Sequence, residues 1–564
     1  LARPELARRG LGPASPLALE AICARVVHDH REALGRLAPI RERPGLPRAL
    51  ARTLGELRLA QATGADVDLA RLLSAYEQEL AAARLADRAQ TLAIATELVR
   101  ARREEIGALL VLDAPIRARA EGDLLAALAD AAPATLAVVP AGDARASELL
   151  QAALGPDASL ERHVPDGADG PLARLYGGLF GAVTTASSPP IPDEAITVLS
   201  APGESRECVE IARLVSAEAA RGTPLDRIAV LLRAPQYGAH VAEAFRRARL
   251  PAFFARGARR PDPAGRAFLA LLACAAEELS ARRFAEYLSL GEVPEDGEDG
   301  APPAPLPRAE RVVAPDDETL RALLGDAARE SESESEAEAI EPLASVPPPI
   351  AEEDRSPAFG TVRTPRHWER LLVEAAVIGK ADRWRRRLDG LAAKLEDDVA
   401  AYEKKDEAAL AEGSRRELVA LEALRRFALP LVDDLAALPR TATWGEWIDR
   451  LGALASRALR RPDRVLSVLA ELQPMARVEG VTISEVRLVL QPRLSQLLLP
   501  VVGRRYGKVF VATTDEARGL AFDVVFIPGL AEKIFPQKVV EDPLLLDEAR
   551  RRISPDLTTN KERT

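Results

Sequence analysis

Apolar residues recur at i, i+3, i+4 and i+7 in PRALARTLGELRLAQATG and in DLARLLSAYEQELAAARLADRAQTLAIATELVRAR, which predicts amphipathic helices through residues 1–108. The period then changes. ALLVLDAP (108–115) is a short apolar run stopped by Asp and Pro, and it predicts a buried strand. ATLAVVPAGD (134–143) predicts a second strand, with a helix, AEGDLLAALADAA, between the two. Strand, helix and strand in that order favour a parallel sheet. From Ala195 the pattern repeats: strand AITVLSAPG, helix ESRECVEIARLVSAEAARG closed by Gly222, strand DRIAVLLRAP ending at Arg233, and helix YGAHVAEAFRRARL. Residues 292–360 are acidic and rich in Pro, Ser and Gly, a composition too poor in apolar surface to fold, so a disordered insertion is expected. Helical periodicity returns over 361–475, with Trp368, Trp384, Trp444 and Trp447. From about Tyr506 come two more strands, KVFVATT and FDVVFIPGL.

Length and composition narrow this picture. A chain of 564 residues implies about three or four domains. Apolar residues make up 47% and aromatics only 4%, so the cores are expected to be aliphatic. A net charge of −10 argues against a broadly basic coat but leaves room for a local basic groove. Cys23, Cys208 and Cys274 lie far apart with no CxxC, which favours a reducing compartment without structural zinc or a disulfide framework. No apolar run reaches the roughly 18 residues of a membrane span and no signal peptide is visible, so a cytoplasmic protein without a membrane partner is expected. The chain opens at Leu1 within a polar segment, and it reads as a fragment that lacks its N-terminus.

VFVATTDEARGLAFDVVFIPGLAEKIFP (509–536) resembles motif V of UvrD-like superfamily I helicases, roughly T-x-H-x-A-K-G-L-E-F-x-x-V-F-x-x-G-L followed by F-P. DPLLLDEARRRI continues it as in AddB/RexB-like helicase–nuclease subunits. The stretch from ITVLSAPG to AFFARG resembles the motif IV region, and LLVLDAP through VVPAGD resembles a worn motif II and III, so the likeness is collinear over nearly the whole chain. It implies an α/β fold of two RecA-like, P-loop-type domains, the first incomplete, with large helical insertions. The implied division is 1–190 for the partial first domain with a helical insertion and 191–291 for the first half of the second. The acidic insertion follows at 292–360 and a helical insertion at 361–475. Residues 476–564 then form the second half of the second domain, with motif V.

ATP hydrolysis needs a Gly-rich loop with Lys around the phosphates, an acidic pair at a strand end for magnesium and water, and arginines for the developing charge. No GxxxxGK[ST] occurs in the chain. Where the family has Asp-Glu, this sequence has Asp113-Ala114: Asp113 either holds magnesium or simply ends a strand, and the water-activating Glu is missing. Gly142-Asp143 matches the Gly-Asp of motif III without its Gln and reads as a turn. By resemblance, Asp113 and Arg233 are the nucleotide-binding candidates, although Arg233 equally suits a solvated strand end. In motif V, Asp515 replaces His, Arg518 replaces Lys and Ala521 replaces the Glu that would contact the nucleotide. Thr513, Thr514, Arg518 and Gly519 are the DNA-backbone candidates; alternatively Arg518 pairs with Asp515 or Glu516 and only fixes the loop.

Other constellations carry less. Glu403-Lys404-Lys405 has the E-x-K form of a nuclease site but sits in a charged helical run without a preceding Pro-Asp. His28-Asp29-His30 cannot share one helix face and reads as exposed helix. RWRRR (383–387), RGARR (256–260) and RALRRPDR (457–464) are basic clusters that could meet phosphate, with Trp384 able to stack on a base.

The expectation is therefore the DNA-binding, helicase-like portion of a bacterial helicase–exonuclease that processes DNA ends in double-strand break repair. Catalytic residues, metal ligands and cofactors are not expected in this part; ATP and magnesium are implied for the intact family, and DNA and a helicase–nuclease partner subunit are the expected partners. Two alternatives stand beside it: a non-enzymatic scaffold with a degenerate helicase fold, and an active superfamily I ATP-dependent helicase.

Overall fold

The computed structural model describes residues 2–62, 67–140, 143–156, 158–161, 172, 195–234, 236–290, 292–294, 301–311, 365–499, 504–531 and 540–563. It is a mixed α/β chain, mostly helical, with small parallel sheets. Among the described residues no helix is long and apolar enough to cross a membrane.

The first body is helical: α1 (Pro16–Asp29), α2 (Leu46–Leu59), α3 (Val67–Ala82) and α4 (Arg88–Ala101). Ser15 caps α1 by accepting from the Ala18 N–H at 3.0 Å, with Pro16 in the first turn where its missing N–H costs nothing. Ile22, Leu50, Leu54 and Leu69, with Tyr76, form the mainly aliphatic core of this body, which also takes in Leu544, Leu545 and Leu557 from the far end of the chain.

Next come β1 (Leu109–Leu112), α5 (Arg119–Ala131), β2 (Thr135–Val138) and α6 (Ala144–Leu154). β1 and β2 pair in parallel, Leu110 opposite Leu136 and Leu112 opposite Val138, as the strand–helix–strand pattern predicts. One face packs Val111 on Leu125 and Leu150, while Leu110, Leu112, Leu136 and Val138 on the other face are exposed.

A second α/β unit follows: α7 (Glu204–Ala220), β3 (Ile228–Leu232), α8 (Tyr237–Ala248) and β4 (Ala252–Phe254). The strand expected at AITVLSAPG is absent: residues 196–200 have no strand pairing and Val198 is 92% exposed. The run has strand-like residues, but a strand exists only through a partner, and none of the described strands pairs with it. Then come β5 (Ala258–Pro261), α9 (Pro263–Ala276) and α10 (Ala281–Ser289).

The large helical core is completed by α11 (Pro365–Glu374), α12 (Ala381–Lys404), α13 (Ala408–Ala436), α14 (Trp444–Ala458), α15 (Asp463–Glu471) and α16 (Ile483–Leu494), packed with α9 and α10. All four tryptophans lie in it, and Trp384 donates its indole N–H to the Leu279 carbonyl at 2.8 Å. That placement corrects the reading of Trp384 as a base-stacking residue: its ring is spent on the core against Phe284. Within the stretch expected to be disordered, residues 292–294 and 301–311 are instead docked on this body. Leu306 N–H donates to Ser456 at 3.1 Å, and Arg311 reaches the Asp449 carbonyl at 2.9 Å. Composition averaged over a long acidic window hides such local anchors; the rest of the stretch, 295–300 and 312–360, lies outside the described residues.

β6 (Gln496–Leu499) pairs antiparallel with β5, a ribbon that the apolar pattern did not announce. β7 (Val509–Thr513) and β8 (Val524–Phe526) return to the second unit and complete a four-stranded parallel sheet in the order β8-β3-β7-β4. α7 and α8 cover one face through Cys208, Val215, Val241 and Phe245. Finally α17 (Asp547–Ile553) and its flanks pack on the first helical body, not on this sheet. There the fully buried Arg550 pairs with Glu56 at 2.6 Å and Asp542 at 3.2 Å. Residues 476–564 thus divide among the helical core, the four-stranded sheet and the first helical body.

Candidate functional site at the strand ends

The β1–β2 pair and the four-stranded sheet both point their C-terminal ends toward one loop, residues 513–519. Asp113 stands one residue past β1, its N–H extending the pairing to the Val138 carbonyl at 2.9 Å. Its φ of 46° is left-handed, a conformation that a short polar side chain tolerates better than most. Asp143 caps α6, accepting from Ala146 N–H at 3.0 Å. Arg233 directly follows β3 and is half-buried, with Leu232 opposite Thr513 at the end of β7.

Arg518 joins these elements. Its Nε and Nη2 donate to Asp113 Oδ1 at 3.0 and 2.7 Å, and Nη2 also donates to Asp143 Oδ2 at 2.7 Å. Nε reaches the Asp113 carbonyl as well, at 3.1 Å. Gly519 N–H donates to the other Asp113 oxygen at 3.1 Å. Gly519 needs its freedom here, because its φ of 71° is left-handed. The side chains of Arg518, Asp113 and Asp143 are 20%, 13% and 28% exposed, so the cluster is screened but not dry. Burial works against ionisation of Asp143, yet the Arg518 and Ala146 hydrogen bonds outweigh it and hold the carboxyl below its ordinary range. Arg518 is likewise disfavoured by burial and then pushed up by its two carboxylates.

The partners of Arg518 are neither of the two acids beside it in sequence. Asp515 pairs with Arg117 at 2.7 Å, and Glu516 pairs with Arg256. Glu516 also accepts from Thr513 N–H at 2.8 Å and from its hydroxyl at 3.0 Å, folding the loop into a capping box. Of the DNA-backbone candidates, Thr513 and Arg518 therefore spend polar groups inside the protein, and Thr514 and Gly519 are exposed. Sequence reasoning missed Asp143, Arg117 and Arg256 as members of this site. Arg256 lay in a basic cluster that drew attention for phosphate, whereas Asp143 read only as a turn.

Magnesium–nucleotide does not fit these side chains as they stand. A divalent ion needs free carboxylate oxygens, but both Asp113 oxygens already accept from Arg518 and Gly519, and Ala114 supplies no second carboxylate. Among the described residues no group of three or more His, Cys, Asp and Glu could hold a metal ion. In chemical terms the arrangement is an internal cation set into the end of a strand.

The other basic clusters are largely paired. Arg385 meets Asp433 at 2.5 Å and Arg386 meets Asp382 at 2.8 Å, Arg464 pairs with Asp262 at 3.0 Å, and Arg457 pairs with Asp434. Glu403 of the E-x-K match pairs with Arg415 at the end of α12. No protein-family model matches the chain, and no curated protein matches it either.

Proposed function

We propose that the chain is the DNA-guiding, helicase-like portion of an AddB/RexB-like bacterial helicase–exonuclease that works on DNA ends in the cytoplasm, and that it holds DNA without hydrolysing ATP. In this reading the two parallel sheets are the remnants of two RecA-like domains, the first incomplete. Support comes from the meeting of their C-terminal strand ends, the place where open α/β sheets bind ligands. The carrying observation is Arg518 seated on Asp113; in this reading it is a motif V side chain lying where a motor would hold its metal ion.

A scaffold that binds a true helicase partner is the second reading. It is favoured by one specific observation, that Arg117, Arg256 and Arg518 tie the charged loop residues to the protein itself. An active superfamily I helicase would instead need Asp113 free beside a second carboxylate. Fluorescence anisotropy with a labelled oligo-dT strand over a salt series tests the DNA reading. The expected result is weak, salt-dependent binding that is the same for mixed sequences and unmoved by ATP with magnesium. No binding even near 50 mM salt overturns it in favour of the scaffold.

A further inference from the structure

At the opposite end of the four-stranded sheet, Arg505-Tyr506-Gly507-Lys508 forms a β-turn leading into β7. Lys508 N–H donates to the Arg505 carbonyl at 3.1 Å, and Gly507 sits at φ 66°, a left-handed position that glycine takes without steric cost. The turn lifts Tyr506 into solvent, where it is 84% exposed. Other aromatic side chains in the described regions are covered: Tyr76, Tyr237, Tyr287 and the four tryptophans are buried, and Tyr402 is half-buried. One aromatic ring at a turn tip is the exception in a chain with few aromatics to spare.

Cations surround that ring. Arg504 and Arg505 are exposed, and Lys508 is half-buried. Arg249 emerges at the same end, just past α8, because Val509 N–H donates to the Pro251 carbonyl at 3.0 Å. Arg249, Arg504 and Lys508 form no ion pair among the described residues, whereas most of the described arginines are paired. The guanidinium carbon of Arg505 lies over the Phe510 ring, 5.9 Å from its centre, which holds that cation beside the turn. Asp523 at this end is already paired with Arg227 at 3.4 Å, and Asp226 lies in the turn that leads into β3. A locally positive turn thus stands on a chain of net charge −10.

We infer that this turn is a contact for single-stranded nucleic acid, with Tyr506 stacking on a base and Arg249, Arg504, Arg505 and Lys508 meeting the flanking phosphates. The inference rests on the DNA-binding reading above and adds to it a surface remote from the strand-end site. Unpaired bases offer a free face to an aromatic ring, and cations beside it track the backbone without reading sequence. In a duplex those faces are already stacked.

Oligo-dT anisotropy on Tyr506→Ala, Tyr506→Phe and the double variant Arg504→Ala/Arg505→Ala tests it. Tyr506→Ala should weaken binding roughly 5- to 100-fold, the worth of one stacked base, with an unchanged melting temperature because the ring is in solvent. Tyr506→Phe should stay within about twofold. The double variant should flatten the slope of log affinity against log salt by about 0.7 for each lost phosphate contact. If the parent chain binds and Tyr506→Ala binds equally well, the turn is not the contact, and the DNA reading stands. Equal weakening on blunt duplex overturns the stacking; no binding by the parent chain overturns both.

Discussion

Replacing Arg518 by alanine removes a side chain that bridges the two sheets at their strand ends, bonded to a carboxylate from each side of α5. Asp113 and Asp143 then keep their charges, mostly shielded from water, without the guanidinium that both accept from at 2.7 Å. Hydrogen bonds to charged groups contribute about 1.5–3 kcal/mol each, and the partial exposure of all three side chains argues for the low end. The three bonds share one cation and do not add, so a net loss of about 2 kcal/mol is expected, roughly a 30-fold shift in the local opening equilibrium. Hydrogen exchange reads this directly. Amides of 513–519 and 109–113 should exchange roughly 30-fold faster in Arg518→Ala, with the β3 and β7 interiors little changed. Arg117→Ala is the control: the Arg117–Asp515 pair is about half exposed and should move exchange by no more than about twofold to fivefold. Arg518→Lys should recover part of the protection, since the charge returns without the bidentate fork. If Arg518→Ala and Arg117→Ala behave alike, the cluster is not what holds the two sheets together. The salt slope for oligo-dT offers a second readout: with Arg518 spent on carboxylates, Arg518→Ala should leave that slope unchanged, and a fall of about 0.7 would assign it to a phosphate instead.

Arg550→Ala should destabilise the first helical body by about 3–5 kcal/mol, because Glu56 loses its partner at 2.6 Å and the fully buried Asp542 keeps only the more distant Arg52 at 3.6 Å as a cation; a change below about 1 kcal/mol in denaturant unfolding refutes the buried network. Acidification should loosen the 513–519 loop. The folded-state pKa of Asp143 is lowered, so its contribution is complete above about pH 4, the unfolded carboxylate range, and is lost as pH falls through the folded value. Exchange corrected for intrinsic rates should show this loss in the parent chain and a smaller one in Asp143→Asn, and identical profiles would remove Asp143 from the cluster.

Much of the local structure was legible. The period change at Ala108 marks β1, the stop at Asp113 marks its end, and Arg233 and Thr513 stand at strand ends as their runs imply. Strand ends are local events, set by where apolar residues give way to Asp, Pro or Arg. What sequence could not offer was pairing across distance. Arg518 and Asp113 are 405 positions apart, and nothing beside Arg518 distinguishes that partner from Asp515 or Glu516. Residues 196–200 show the converse: strand-forming residues remain unpaired when no neighbouring edge receives them. The docked 301–311 segment depends on single hydrogen bonds to α14, too local to register in composition. The Tyr506 turn went unremarked because its significance lies in exposure, and sequence alone does not show which of few aromatics stays outside the core.

Steady-state phosphate release from ATP and magnesium, with single-stranded DNA present, bears most directly on the claim that Arg518 has taken the place of a metal ion at Asp113. The account predicts no DNA-stimulated turnover above background, since Asp113 is occupied by Arg518, Ala114 and Ala521 carry no carboxylate, and no GxxxxGK[ST] occurs in the sequence. Turnover of about 1 per second or faster, stimulated by the strand, would contradict it.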